Sequence, residues 1–485
     1  MKILLASSEV HPYSKSGGLA DMVGALAKFL ARAGHRVGLV TPLYREILER
    51  FPEIQPFDWN FDLPLGDTPV KATAMVRDFE DRLTIYFIDQ KHFYQRAELY
   101  QEKGLDYPDN AERFIFFSKC VTNLARYLPW QPELVHVHDW QAALVPVLML
   151  DEKVRAGWWN APPTCLTIHN LAYQGLFPSA KYSLTNLPLD YFHPEGVEFH
   201  KLMSCLKAGI SYADLITTVS PRYAREITTE QFGCGLDGAL RRRQYSLVGS
   251  LNGVDYDEWK TTDNPYLNHS YSNDDLGGKE QNKLDLQKEF GLPVDPKIPL
   301  FGTVARLAEQ KGVDIQLGAL EEMLSSDLQF VLLGSGSKEF ERAYRKLAER
   351  YPKKCAVKIG FDQGLSHRIE AGCDFFLMPS RFEPSGLNQM YSLRYGTIPI
   401  VRITGGLDDS VTDISENQDK ADGIKFLEYS ARALAKAIRK ALVLYEDKEL
   451  LRHYRENGMA KDFSWERTAA AYEKIYARLV PSVTV

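Results

Sequence analysis

Short apolar runs alternate along this chain with segments whose apolar residues recur every three or four positions, the pattern of parallel strands joined by helices. Lys2 to Ala6 reads as a strand, and Leu19, Met22, Val23, Leu26 and Leu30 share one face of the helix that follows. Gly34 ends that helix and Arg36 to Thr41 returns as a strand, which completes a βαβ unit. The rhythm resumes at Phe301 to Leu307, Phe330 to Leu333, Ala356 to Ile359, Phe375 to Met378 and Ile398 to Val401. Between the two stretches, the Asn252–Gly253 turn opens a tract rich in Asn, Asp and Ser that extends to Lys279. At 485 residues the chain is too long for one ordinary core. Two α/β domains are therefore expected, one over residues 1–255 and one from residue 256.

Candidate chemistry gathers where strands give way to glycine turns. Pro379 stops the run Phe375–Met378, and the loop to Ser385 carries Glu383 just ahead of a helix marked by Leu387, Met390 and Leu393. The N–H groups of Gly386, Leu387 and Asn388 would be free at that helix start, and such donors attract anions. Thr404, Gly405 and Gly406 repeat the arrangement after the next strand. Glu383 would face this positive potential, although it could also simply cap the helix. Near the N-terminus, Lys15 precedes Gly17 and Gly18 in the turn that leads to a helix. There an ammonium could meet a diphosphate, or merely be solvated. Arg306 and Lys311 form a third cationic loop, suited to a leaving diphosphate that gains charge. In open α/β sheets ligands gather at the carboxyl ends of strands, where Lys15, Arg306, Glu383 and Thr404 all fall.

Composition narrows the class. Net charge is −6, and the only dense basic run, Arg241 to Arg243, reads as a solvated helix face, so a nucleic-acid footprint is absent. The six cysteines, at 120, 165, 205, 234, 355 and 373, form no CxxC pair and read as buried thiols in a reducing compartment. The apolar run after Lys2 is too short for a signal peptide and no segment is long enough to span a bilayer, so a cytoplasmic protein without membrane partners is expected. His136 and His138 alternate on one strand with Asp139 beside them. A third imidazole is missing from the pattern, so a buried strand pair is favoured and no metal is assigned. Asp255-Tyr-Asp257 resembles a metal-binding DxD of another fold, and Gly334-Ser-Gly336 lacks the third glycine of a dinucleotide fingerprint. No cofactor is expected.

Several segments, in order, resemble the bacterial glycogen synthases and plant starch synthases. They are KSGGLADM at Lys15, HVHDW at His136, TIHNLAYQG at Thr167, TTVSPRYAREI at Thr217, NGVD at Asn252, ARLAEQKG at Ala305, and the tract from Phe382 through TGGLDDSV. The resemblance implies a GT-B fold, two Rossmann-like doubly wound domains facing a cleft, with residues 256–464 as the donor domain and a C-terminal helix within 465–485 that crosses back to the first domain. It also implies glucosyl transfer from ADP-glucose, or UDP-glucose, to an α-1,4-glucan with retention of configuration. Lys15, Arg306 and Lys311 would bind the donor phosphates, with Gly17 and Gly18 in the turn. His169 and Asn170 would lie against the glucosyl ring, Asp139 and Asp21 would serve the acceptor, and Glu383 would offset positive charge on the sugar. Backbone donors at Ser385, Gly386 and Leu387, and the Thr404, Gly405 and Gly406 turn, would hold sugar and phosphate oxygens. Phe361 stands where the family usually has a Tyr near the nucleobase, and Ser385 where many members have Cys. Tyr391 occupies the place of a second Glu found in the sucrose synthase branch, which favours the glycogen and starch branch. A nicotinamide dehydrogenase would need a fuller fingerprint, and a silent glucan-binding protein would be expected to have lost Glu383, Lys15 or Lys311.

Overall fold

The apolar strands assemble into two separate sheets, one in each of two compact units. The structure, a computed structural model, describes residues 1–480. Unit 1 comprises residues 1–219, 224–250 and the segment from Trp465, and unit 2 comprises Ser220–Tyr223 and Leu251–Ser464. The chain passes to unit 2 after Ser250, ahead of the Asp255 boundary read from the sequence. The reason is local: the Val254 N–H donates to the Phe463 carbonyl at 2.7 Å, and the Phe463 N–H donates to the Tyr256 hydroxyl at 2.7 Å, which ties the stretch to unit 2.

Unit 1 is built on nine strands: β1 (Lys2–Ala6), β2 (Arg36–Pro42), β3 (Gln55–Leu65), β4 (Thr68–Glu80), β5 (Leu83–Asp89), β6 (Leu134–His138), β7 (Thr164–Ile168), β8 (Leu215–Thr218) and β9 (Leu247–Gly249). Their order is β9-β8-β7-β6-β1-β2-β5-β4-β3. Every pairing is parallel except those of β4 with β3 and β5. The helix α1 (Gly18–Arg32) buries Met22, Val23, Leu26 and Leu30, the face its spacing predicts. The terminal helix, Trp465–Tyr476, packs within unit 1: Trp465 stacks on Phe29 with centroids 6.4 Å apart and Glu473 meets His35 at 2.7 Å.

Unit 2 carries six parallel strands, β10 (Leu300–Val304), β11 (Gln329–Gly334), β12 (Cys355–Ile359), β13 (Phe375–Met378), β14 (Ile398–Arg402) and β15 (Ile424–Phe426), in the order β12-β11-β10-β13-β14-β15. Phe301 of β10 and Phe375 of β13 stack at 5.0 Å in the core, and burial of each such ring contributes about 1.5–3 kcal/mol. At the foot of β13, Asp374 is buried between Lys283 and Arg455, each at 2.7 Å, and accepts the Leu300 N–H at 2.9 Å. Burial alone would raise its pKa, but the two cations outweigh it and hold the carboxyl below its usual range.

Two expectations from composition change. Cys234 is exposed, whereas the other five cysteines are buried. Arg243 is only partly exposed and donates to the carbonyls of Ile210 and Ser211 at 3.0 and 2.7 Å, so it clamps the end of a helix instead of facing solvent. Among the described residues no helix is long and apolar enough to cross a membrane.

Candidate active site

Sheet order decides which loops in unit 2 become neighbours. The chain winds from β10 outward to β12, then returns to β13 beside β10 and winds the other way. At such a reversal the loops after the two central strands diverge and leave a crevice at the strands' carboxyl ends. The loop after β10 carries Arg306 and Lys311, and the loop after β13 carries Glu383. Glycines let these loops meet: a Cβ on Gly312 would lie 2.0 Å from the Pro379 carbonyl, and one on Gly406 only 1.9 Å from that of Ser385. The buried Arg402 then fixes the loop's path, donating from Nε to the Ser380 carbonyl at 2.8 Å and from Nη2 to that of Arg381.

Glu383 is thereby held at 6% exposure, its Oε2 accepting from Lys311 Nζ at 2.6 Å and from Ser380 Oγ at 3.1 Å. It does not cap the helix Asn388–Arg394, which has no side-chain cap. Arg306 is exposed and reaches Gln310 at 3.4 Å. The N–H groups of Ser385, Gly386 and Leu387 meet no acceptor among the described residues, and Gly386 takes the left-handed conformation with φ 67°. Gly406 departs from expectation, because its N–H is given to the Glu383 and Pro384 carbonyls at 3.1 Å. Thr404 is buried ahead of the short helix Gly405–Ser410, and its carbonyl accepts the Leu407 N–H at 3.2 Å. Phe361, just past β12, is 87% exposed. Gly334 and Gly336 have a structural cause, since a Cβ on either would lie within 2.3 Å of the Ala305 or Leu307 carbonyl.

The sheet of unit 1 reverses between β1 and β6. The loop after β1 is organised by a residue that sequence reasoning missed. Glu9, 3% exposed, accepts from the Ser16 N–H at 2.5 Å, Ser16 Oγ at 2.6 Å, the Gly17 N–H at 3.2 Å and the Tyr100 hydroxyl at 2.7 Å. The Gly17 N–H, in the turn that carries Lys15, is therefore committed to an internal carboxylate. Lys15 and Asp21 are exposed enough to be reached and pair with each other at 2.8 Å. The signal for Glu9 was its place, a lone acid at a strand's carboxyl end ahead of a glycine turn.

After β6, Asp139 adopts φ 56° and its Oδ1 accepts the His169 N–H at 2.7 Å, with the Asn170 N–H as a further donor. Burial lifts its carboxyl pKa to about 7 against those hydrogen bonds. Asp139, expected on the acceptor side, grips the backbone of the loop that carries His169 and Asn170. Asn170 Oδ1 in turn accepts the Ala172 N–H at 3.1 Å. Behind them, His138 Nδ1 lies 3.1 Å from His169 Nε2, while His136 bonds the Tyr476 hydroxyl at 2.8 Å and Thr167 Oγ1 at 2.6 Å. Burial lowers the pKa of both His136 and His169 to about 3, so both rings are neutral. Among the described residues no group of three or more His, Cys, Asp or Glu could hold a metal ion.

Known proteins with this architecture decide the family. The starch synthase catalytic domain family matches residues 2–242, and the glycosyl transferases group 1 family matches residues 285–461. A glycogen synthase from Anaeromyxobacter sp. (strain Fw109-5) is 47% identical over 99% of both chains. The chain belongs to the glycogen and starch synthase family. Its fold is that of the catalytic domain of starch synthase IV from Arabidopsis thaliana, solved bound to ADP and acarbose, at a TM-score of 0.87 and 32% identity over 99% of each chain. A sucrose-phosphate synthase from Thermosynechococcus elongatus, 16% identical with a TM-score of 0.60 over 99% of each chain, shares the fold alone. As a member of this family the chain is a GT-B glucosyltransferase, two doubly wound α/β units in one enzyme.

Proposed function

We propose that this glucosyltransferase moves glucose from ADP-glucose to the non-reducing 4-hydroxyl of an α-1,4-glucan with retention of configuration. The observation that carries the reading is the pairing of Lys311 with Glu383 on adjoining loops at the reversal of a parallel sheet, with Arg306 on the same loop as Lys311. In the step, the acceptor O4 forms a bond to the anomeric carbon while the bond from that carbon to the diphosphate oxygen breaks. The leaving oxygen takes the acceptor's proton on the same face of the sugar. Arg306 and Lys311 would receive the charge that builds on the diphosphate, and the Ser385, Gly386 and Leu387 N–H groups would hold sugar and phosphate oxygens. Glu383 would offset positive charge on the ring. Positioning and electrostatics suffice, without a second carboxylate as nucleophile.

From unit 1, Lys15 would bind donor phosphate, His169 and Asn170 would contact the glucosyl ring, and Asp21 would serve the acceptor. Asp139 would also serve the acceptor side while its carboxyl holds the His169 backbone in place. Phe361 would stack near the base, and Thr404 with Gly405 would supply the turn beside the sugar. The six cysteines, none of them in a disulfide, support a cytoplasmic location.

One assay tests the whole reading. ADP-glucose and glycogen together should release ADP, and omission of glycogen should abolish the release. The anomeric proton signals of the elongated glucan should be those of the α-linkage. A faster reaction with UDP-glucose would overturn the donor assignment, and no transfer from either donor would overturn the function.

A further inference from the structure

The imidazoles behind His169 constrain which of its nitrogens carries the proton. A neutral imidazole has one N–H donor and one bare acceptor nitrogen. His138 Nδ1 and His169 Nε2 are 3.1 Å apart, so one of them must donate to the other. His138 is fully buried, and its Nε2 has no hydrogen-bond partner among the described residues. Two arrangements remain. If His169 donated from Nε2, His138 would have to carry its own proton on Nε2, as a buried N–H with no acceptor. If His138 donates from Nδ1, the unpartnered atom is only a bare lone pair. Buried N–H groups without acceptors are rarer in proteins than under-used acceptors. The second arrangement is therefore preferred.

We propose that His138 is a positioning residue, donating from Nδ1 to His169 Nε2 and so fixing His169 as its Nδ1–H tautomer. His169 Nδ1 meets no partner among the described residues, and the side chain is only partly buried, so the ring presents an N–H donor outward. This rests on the proposed function, in which His169 lies against a glucosyl ring, and it deepens that reading: the site offers a hydroxyl oxygen a neutral donor there. His136 cannot compete for the bond. Its two nitrogens are engaged by Tyr476 and Thr167, and its ring lies 4.2 Å from that of His138, which holds the His138 plane. The Asp139 carboxylate fixes the His169 backbone by an independent bond.

The test reads the tautomer directly, with no substrate. In the full chain labelled with ¹⁵N-histidine, two-bond nitrogen–proton correlation spectra should show His169, assigned by loss of its signals in His169→Asn, protonated on Nδ1 and bare on Nε2. A proton on Nε2 overturns the proposal. His138→Leu removes the donor and should lower kcat roughly tenfold or more and mix the His169 tautomers. His138→Asn, whose amide N–H stands near the place of Nδ1, should recover most of the kcat and the single tautomer. A folded His138→Leu protein with wild-type kcat and an unchanged His169 spectrum also overturns it. Absence of glucosyl transfer in the unsubstituted protein would instead refute the function and leave the spectra to judge the tautomer.

Discussion

Lys311 and Glu383 should show opposite couplings in stability and in turnover. Their charged atoms are 2.6 Å apart, with the Lys311 side chain 26% exposed and that of Glu383 8% exposed. At an effective dielectric of about 20 that distance gives a gross attraction of about 6 kcal/mol. Desolvation of the carboxylate and the partial exposure of the lysine leave a net of about 1–3 kcal/mol. Lys311→Met leaves Glu383 with Ser380 Oγ as its remaining side-chain donor, so the variant should lose about 1–3 kcal/mol in urea unfolding of unit 2. Adding Glu383→Gln removes the stranded charge, and the double variant should recover most of that loss. Turnover should behave differently, because each group is assigned its own work on the substrate. Lys311→Met and Glu383→Gln should each lower kcat roughly a hundred- to a thousandfold, and the double variant should be no faster than either. A double variant no more stable than Lys311→Met would refute the pairing energy. Near-wild-type kcat in either folded single variant would refute that residue's role.

Three further outcomes follow from other parts of the molecule. Asp374→Asn leaves Lys283 and Arg455 buried without a counter-charge, which should cost about 3–5 kcal/mol, read by calorimetry as a fall in Tm of roughly 6–15 °C. The Asp139 carboxyl, raised from 3.8 to about 7, contributes stability that is fully present below its unfolded pKa and lost as pH rises through about 7. Asp139→Asn carries a pH-independent change of its own, but its stability relative to wild type should improve between about pH 5 and about pH 8; urea unfolding that finds no such drift would refute the raised pKa. Gly18→Ala should leave Tm unchanged or slightly higher and raise KM for ADP-glucose, whereas Gly406→Ala should lower stability by about 1–3 kcal/mol, both read from melting curves and initial rates.

The sequence made the ends of strands legible but hid the contacts across them. Apolar runs located β1, β2, β10, β11, β12, β13 and β14, and all but the edge strand β12 are largely buried, as continuously apolar strands should be. The hairpin β3–β4 was legible but missed: Phe57, Trp59, Phe61, Leu63 and Leu65 alternate with polar residues and prolines, the pattern of a half-buried strand and not of the continuous apolar runs that marked the others. Glu383, Lys311 and Arg306 stood out as charges beside glycine turns. That Lys311 pairs with Glu383, or that Glu9 fills the donors of the Lys15 turn, depends on which loops the sheet order makes adjacent, and no local pattern encodes that order. Arg402 was hidden for a related reason: a buried arginine at a strand's end reads as an ordinary surface cation until three carbonyls are found around it.

The glycines carry the distinction between what the fold demands and what a ligand demands. Gly312, Gly334, Gly336, Gly405 and Gly406 each place a missing Cβ within 2.3 Å of a backbone carbonyl in unit 2. Their identity is therefore fixed by the chain itself, which needs them to press the Arg306, Glu383 and Thr404 loops together. Gly17 and Gly18 are different. A Cβ on either would meet nothing within 4 Å, and Gly17, with φ −156°, has a backbone that any residue adopts. Gly17 stands at the N-cap of α1, where glycine is favoured over alanine, whereas Gly18 opens the first turn, which alanine would make firmer. The open space beside Gly18 leaves room for a group approaching from outside, which is the use the proposed function makes of this turn.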